Sequence, residues 1–179
     1  MKRSHLAREI VEIIALTLLI FLAIHFTIQN YQIDGPSMQN TLHTGQYVLV
    51  NKVAYLFHAP ERGDIIILQE PDQPGRDLIK RVIGLPGDTI KLDGTNVWVN
   101  GTELNEPYIT QKSNPGANTL TVPANEYFVM GDNRPVSEDS RYFGFVPKDY
   151  VVGKAILVDW PLKQWQMLNT YSSVYSQIK

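Results

Sequence analysis

The sequence predicts a mainly β protein: an antiparallel body with a small inserted β-hairpin lobe, an N-terminal transmembrane helix and a helical C-terminal segment. Three observations predict it. One apolar run stands near the N-terminus, six short β-rich runs follow it, and two dipeptides suited to tight hairpins bracket one of those runs. Periodicity and turn chemistry decide each element in turn.

Residues 10–28 read IVEIIALTLLIFLAIHFTI, nearly the length that crosses a bilayer as a helix. Glu12 and His25 lie towards opposite ends, where polar side chains reach the interface, and residues 13–24 carry no charge. Apolar residues cover every face of the helix, which fits a short span better than a soluble amphipathic helix. Lys2, Arg3 and Arg8 precede the run, so the positive-inside tendency puts the N-terminus in the cytoplasm and the rest of the chain outside. A cleavable signal peptide starts in the same way, but the bulky, polar HFTIQNYQ offers no small-residue exit, and the run reads as an uncleaved anchor.

The β-rich runs are QYVLVNKV, GDIIILQ, DLIKRVIG, NVWVN, EYFVMG and KAILVDW, most of them bounded by Gly, Pro, Asp or Asn. Asp93-Gly94 and Asn100-Gly101 tolerate positive φ and mark two hairpin turns. With the loop KSNPGANT they delimit a small lobe within the core. The expected organisation is a cytoplasmic end at 1–9, an anchor at 10–28, core at 29–88 and 123–160, the lobe at 89–122 and an amphipathic segment at 161–179. In that last segment Leu162, Trp165, Leu168, Tyr171, Tyr175 and Ile178 fall on one helical face, suited to lying on the body or, less favoured, at a membrane interface.

Composition narrows the chemistry. At 179 residues the chain buries one core and favours one site. A net charge of -2 from 16 basic and 18 acidic residues leaves no basic footprint for nucleic acid. With no cysteine there is no thiol catalysis, thiolate metal site or disulfide. His5, His25, His43 and His58 are scattered outside any HExxH or HxH arrangement, so neither metal nor cofactor is expected.

Just past the anchor, IDGPSMQNTL places Ser37 between a proline and a methionine. A serine hydroxyl becomes a nucleophile only when a base takes its proton. His43 and His58 lie in no nucleophile-elbow motif, and the S-x-x-K pair Ser176 and Lys179 ends at the last residue, where fraying defeats a site. Lys80, in GRDLIKRVIGLPGD, is the third candidate: alternation puts Leu78 and Val82 on its face, and burial there would strip its charge. For an isolated lysine, burial statistics favour the solvated face of a hairpin instead.

The order of three segments changes that weighting. GPSM after a membrane span, then DLIKRVIGLPGD, then MGDNRPVSEDSRYFG at residues 130–144, closely resembles the type I signal peptidase family, in particular its short, single-anchor Gram-positive branch. The resemblance runs from the anchor to about Trp160 and implies a membrane-anchored serine endopeptidase, free of cofactors, acting on secretory preproteins at the outer face of the cytoplasmic membrane. It implies Ser37 as nucleophile, Lys80 as general base and Ser137 as the residue orienting the lysine. Asp139 with Arg141, and Asp132 with Arg81, match two bracing ion pairs, while Ile33, Met38, Leu42 and Ile79 match the walls of shallow pockets for small side chains. Pro135 and Val136 depart from the usual polar residues. Gly35 replaces the hydroxyl residue that assists the oxyanion in Gram-negative relatives, leaving the Ser37 N–H as the main expected donor.

Two other readings are separable. Self-cleaving repressors share the Ser–Lys chemistry but need a DNA-binding head and an internal scissile Ala-Gly or Cys-Gly bond, and the anchor occupies the place of the head. A catalytically silent anchored β domain that binds an extracellular partner would be marked by loss of Ser37 or Lys80, and both are present.

Overall fold

The computed structural model describes residues 2–73, 75–113 and 116–178. Helix α1 (Lys2–Thr27) passes directly into strand β1 (Ile28–Gln32), with no linker between them. Over Arg8–Thr27 the helix is long and apolar enough to cross a membrane, with mean hydropathy 2.4, and none of it is buried against the body.

The body is a curled antiparallel sheet. Strands β2 (Tyr47–Asn51), β3 (Ile65–Gln69) and β4 (Asp77–Gly84) precede a second, four-stranded sheet made of β5 (Thr89–Asp93), β6 (Asn96–Val99), β7 (Thr102–Glu103) and β8 (Asn118–Thr121). The chain then returns through β9 (Glu126–Met130), the short helix α2 (Ser140–Phe143), β10 (Val146–Pro147) and the long β11 (Val151–Trp160). The order in the main sheet is β1-β2-β11-β3-β4-β9-β10, and in the second β7-β6-β5-β8.

Sequence explains these placements. In β3 the run Ile65, Ile66, Ile67, Leu68 is buried on both faces, as a near-continuous apolar strand must be. Its odd residues join a core with Ile33, Val48, Val50 and Ile79, its even residues one with Leu78, Val82 and Val129. Both expected hairpins form. Asp93 pairs with Asn96 and Val99 with Thr102, and in the second turn Asn100 and Gly101 both take positive φ (49° and 81°), the twist that matches right-handed strands. The second sheet packs through Ile90, Leu92, Val97 and Val99 against Ile83, Phe128 and Met130 of β4 and β9. The loop KSNPGANT includes residues 114 and 115, which lie outside the described residues.

The fold class stands, but the C-terminal segment is not one amphipathic helix. A 3-10 turn at Leu162–Gln164 leads into β12 (Gln166–Met167), which pairs with Leu157 and Val158 on the part of β11 that β3 does not reach. Those ladder bonds compete with helix, and Tyr171, at φ 50°, adopts the left-handed conformation that ends one. Only α3 (Ser172–Tyr175) is helical. Leu168 packs on one core, and Val174, Tyr175 and Ile178 on another, while Leu162 and Trp165 stay exposed.

This tail sits against Gly63. A Cβ built there would lie 2.0 Å from the Thr170 carbonyl oxygen, at a φ of +91° that L residues rarely adopt. Gly63→Ala is therefore expected to destabilise the protein by about 2 kcal/mol or more, through both the backbone conformation and the clash. Urea unfolding of the two proteins checks this; equal midpoints would contradict it.

Candidate active site

Strand β4 and the turn after β1 build the site. From Ile33 the chain curls through Gly35 and Pro36 into a turn at Ser37, closed by hydrogen bonds from the Gln39 N–H to Pro36 O (3.0 Å) and from the Leu42 N–H to Met38 O (2.8 Å). That turn leaves Ser37 half-buried and drives Met38 and Leu42 inward. Lys80 is 2% exposed, sharing its face of β4 with Leu78 and Val82. Its Nζ lies 3.0 Å from Ser37 Oγ and donates to the Ile79 carbonyl at 3.0 Å.

Burial dominates the titration of that amine. It pulls Lys80 down from 10.5 to about 8; the Asp139 carboxylate opposes the shift and the Arg76 charge assists it. Arg81, the next residue, is fully buried too, but Asp132 receives its Nε at 2.9 Å and Nη2 at 2.7 Å. Burial alone would lower the pKa of Arg81, and the Asp132 bonds overcome it and raise it. Two adjacent cations thus meet different fates because, among the described residues, only one has a carboxylate partner.

The segment 130–141 brackets Ser37 from the other side. Asp139 accepts from Arg141 Nε (2.7 Å) and Nη2 (2.8 Å), caps α2 through the Arg141 N–H and accepts the Gly131 N–H at 3.0 Å. Gly131 permits the close approach, because a Cβ there would fall 2.2 Å from Ser137 Oγ and 2.5 Å from the Ser37 carbonyl oxygen. Ser137 is buried beside this glycine, and its hydroxyl has no hydrogen-bond partner among the described residues; the bonds of Lys80 go to Ser37 and Ile79.

Ile33 and Ile79, with Tyr31, Asp77 and Val136, line a cleft of about 210 Å³ that opens onto Ser37 and Lys80. Met38 and Leu42, expected as pocket walls, are not among the residues that line this cleft; at 1% and 0% exposure they pack in the core cluster that also holds Ile33 and Ile79. His43 and His58 are exposed and share no hydrogen bond with Ser37, and Lys179 lies outside the described residues.

Sequence reasoning passed over five contributing residues. Asn133 donates its N–H to the Ser37 carbonyl and its Nδ2 to the Pro36 carbonyl, both at 3.0 Å, fixing the backbone around the serine. Arg134 and Glu106 form a buried bidentate pair 28 residues apart, joined by the Tyr108 hydroxyl at 2.7 Å from Glu106. Asn133 and Arg134 were visible in GDNR, but nothing in the sequence names their partners. Asn169, in the tail, offers its carbonyl to Arg81 Nη1 at 3.0 Å, and the Tyr108 ring covers the guanidinium at 4.2 Å.

Together these features define a β domain with a desolvated lysine amine against a serine hydroxyl at the foot of an open cleft. The chain belongs to the signal peptidase family, peptidase S26, whose family model matches residues 6–160. Among curated proteins it is 34% identical to a probable signal peptidase I-1 of Synechocystis over 93% of this chain and 89% of that protein. It is 32% identical to signal peptidase IB of Staphylococcus aureus, over 92% and 94% of the two chains. A crystal structure of a signal peptidase I from Enterococcus faecalis aligns with a TM-score of 0.47 and 39% identity, over 53% of this chain and 95% of that one.

The buried lysine makes a thermodynamic prediction. Its folded pKa, about 8, is below the 10.5 of an exposed lysine, so between those values the unfolded chain binds more protons and stability rises with pH. Below pH 8 the burial cost is fully present, on the order of 3 kcal/mol, and above 10.5 it is gone. Lys80→Met is expected to be more stable than the wild type at pH 7 and to lack that rise, as urea titrations across the range would show; matching profiles would contradict it.

Proposed function

We propose that this chain is a membrane-anchored serine endopeptidase that removes signal peptides from exported preproteins after small residues, at the outer face of the cytoplasmic membrane. One observation carries the reading: the Lys80 amine, desolvated to a pKa of about 8, lies 3.0 Å from Ser37 Oγ. A neutral amine at that distance can accept the hydroxyl proton as Oγ attacks the scissile carbonyl carbon. The tetrahedral oxyanion is then within reach of the Ser37 N–H, the donor expected in the absence of a hydroxyl at Gly35. Lys80 returns the proton to the leaving amine as the C–N bond breaks, and next takes one from water to hydrolyse the acyl-enzyme. Ser137, buried beside Gly131, is the proposed orienter of the amine, and the pairs of Asp139 with Arg141 and Asp132 with Arg81 are the proposed braces.

Substrate would bind as an extended strand. β1 is an edge strand, and β4 pairs with β9 only from Arg81 onward, so Asp77–Ile79 also presents an open backbone edge to the cleft. A peptide between these edges can add backbone hydrogen bonds on both sides. Ile33 and Ile79 leave a shallow apolar floor suited to small side chains. The basic residues Lys2, Arg3 and Arg8, in the first turns of α1 ahead of its apolar run, favour a cytoplasmic N-terminus and an exterior cleft, where preproteins emerge.

Processing of an exported precursor by full-length protein in vesicles tests the proposal. Ser37→Ala and Lys80→Ala are each expected to lower the rate by about a thousandfold or more, and the double variant to lose little beyond that. Unchanged processing with either would refute the dyad. For the wild type, kcat/KM should fall about tenfold per pH unit below pH 8, as Lys80 protonates. An acidic optimum would refute a lysine base.

A further inference from the structure

The loop between β2 and β3 carries the most exposed large apolar side chain among the described residues. Phe57 is 89% exposed and its neighbour Leu56 71%, values above those of every large apolar side chain described on α1. The pair sits on a 3-10 turn (Ala54–Leu56) whose base is fixed: Ala54 is buried, and the Tyr55 hydroxyl donates to Asp64 Oδ2 at 2.9 Å. The protein therefore presents these two side chains to its surroundings on a braced turn.

Topology decides which surroundings. β1 leads away from the end of α1 and the antiparallel β2 leads back, so that Asn51 pairs with Ile28 and the Lys52 N–H bonds to the Thr27 carbonyl at 2.8 Å. Leu56 and Phe57 follow within five residues, which places them roughly 10–15 Å from the last turn of the helix. The 20 residues of Arg8–Thr27 span about 30 Å, the thickness of a hydrocarbon core, so Thr27 marks its boundary. Lys52, exposed beside that boundary, supplies a cation suited to anionic headgroups.

We propose that Leu56 and Phe57 dip into the outer leaflet as a second foothold beside the anchor. This rests on the reading of α1 as a membrane span. A single helix leaves the body free to rotate about the helix axis, and a second contact about a nanometre away removes that freedom. The orientation matters because Ser37 lies beyond the far end of β1, whose five residues extend about 17 Å. The foothold sets how the cleft is presented to a precursor emerging from the same membrane.

The chain has no cysteine, so single nitroxide labels can be placed without background. In phosphatidylcholine–phosphatidylglycerol vesicles, labels at Phe57→Cys, Leu18→Cys in the anchor and Thr95→Cys in the second sheet would be compared by accessibility to oxygen and to a water-soluble nickel chelate. The expected result is Leu18 deep in the bilayer, Phe57 at the headgroup–acyl boundary and Thr95 in water. A deep Leu18 with an aqueous Phe57 overturns the foothold and leaves the anchor standing; an aqueous Leu18 overturns both. In the second arm, the double variant Leu56→Ser, Phe57→Ser should process a vesicle-bound precursor about threefold to tenfold more slowly, yet cleave a short soluble peptide in detergent at the wild-type rate. Loss in both assays, or in neither, overturns the proposal.

Discussion

One strand buries two neighbouring cations, and the rest of the site follows from how each is treated. Lys80 and Arg81 are 2% and 0% exposed on opposite faces of β4. A charge removed from water must be paired or given up. Arg81 is paired, by two oxygens of Asp132, two backbone carbonyls and the ring of Tyr108, and it stays charged. Among the described residues Lys80 has no carboxylate within hydrogen-bond reach and bonds to a hydroxyl and a carbonyl, so its proton is the thing that yields. Exchanging the two residues would place a permanent guanidinium at Ser37, which cannot act as a base at any ordinary pH.

Holding an unpaired lysine against a serine requires rigid neighbours on both sides, because a hydroxyl on a loose turn would leave the amine free to turn towards water. The segment 130–141 supplies them. Asn133 fixes the Ser37 and Pro36 carbonyls, Gly131 lets the Ser37 carbonyl and the Ser137 side chain approach, and Asp139 ties that glycine to α2 and Arg141. The same segment reaches the tail and the second sheet through Arg134, Glu106, Tyr108 and Tyr175, whose hydroxyl lies 2.6 Å from that of Tyr108. Distant parts of the chain thus converge on a few backbone positions around one hydroxyl. That arrangement fits the nucleophilic role proposed for Ser37.

Much of the fold was legible because local chemistry and tertiary structure agree. The strands have β-branched runs with turn residues at their ends, and Asn100-Gly101 both suits and adopts the two positive φ values of its hairpin. The long apolar helix was legible from its length and the absence of a polar face. The C-terminal segment misled because its apolar spacing fits a helix, while the deciding facts are a non-local one, an open stretch of β11 to pair with, and a left-handed Tyr171 that no residue type there announces. At the site, the order of three segments brought Ser37, Lys80 and the two ion pairs to attention, and the structure places them close together. The inward turn of Met38 and Leu42 was not legible, since it depends on a one-turn curl rather than on strand alternation. Nor was the pairing of Glu106 with Arg134, which depends on how the second sheet meets β9.

The claim that burial keeps Lys80 neutral enough to serve Ser37 is tested most directly on the amine itself. In full-length protein in detergent micelles, an NMR titration of isotopically labelled lysine side chains, with the Lys80 signal assigned by its loss in Lys80→Met, reports the protonation of that group alone. The account predicts a midpoint near 8. A midpoint at the ordinary 10.5 would contradict it, since the amine would then carry its proton throughout the range in which a base is required.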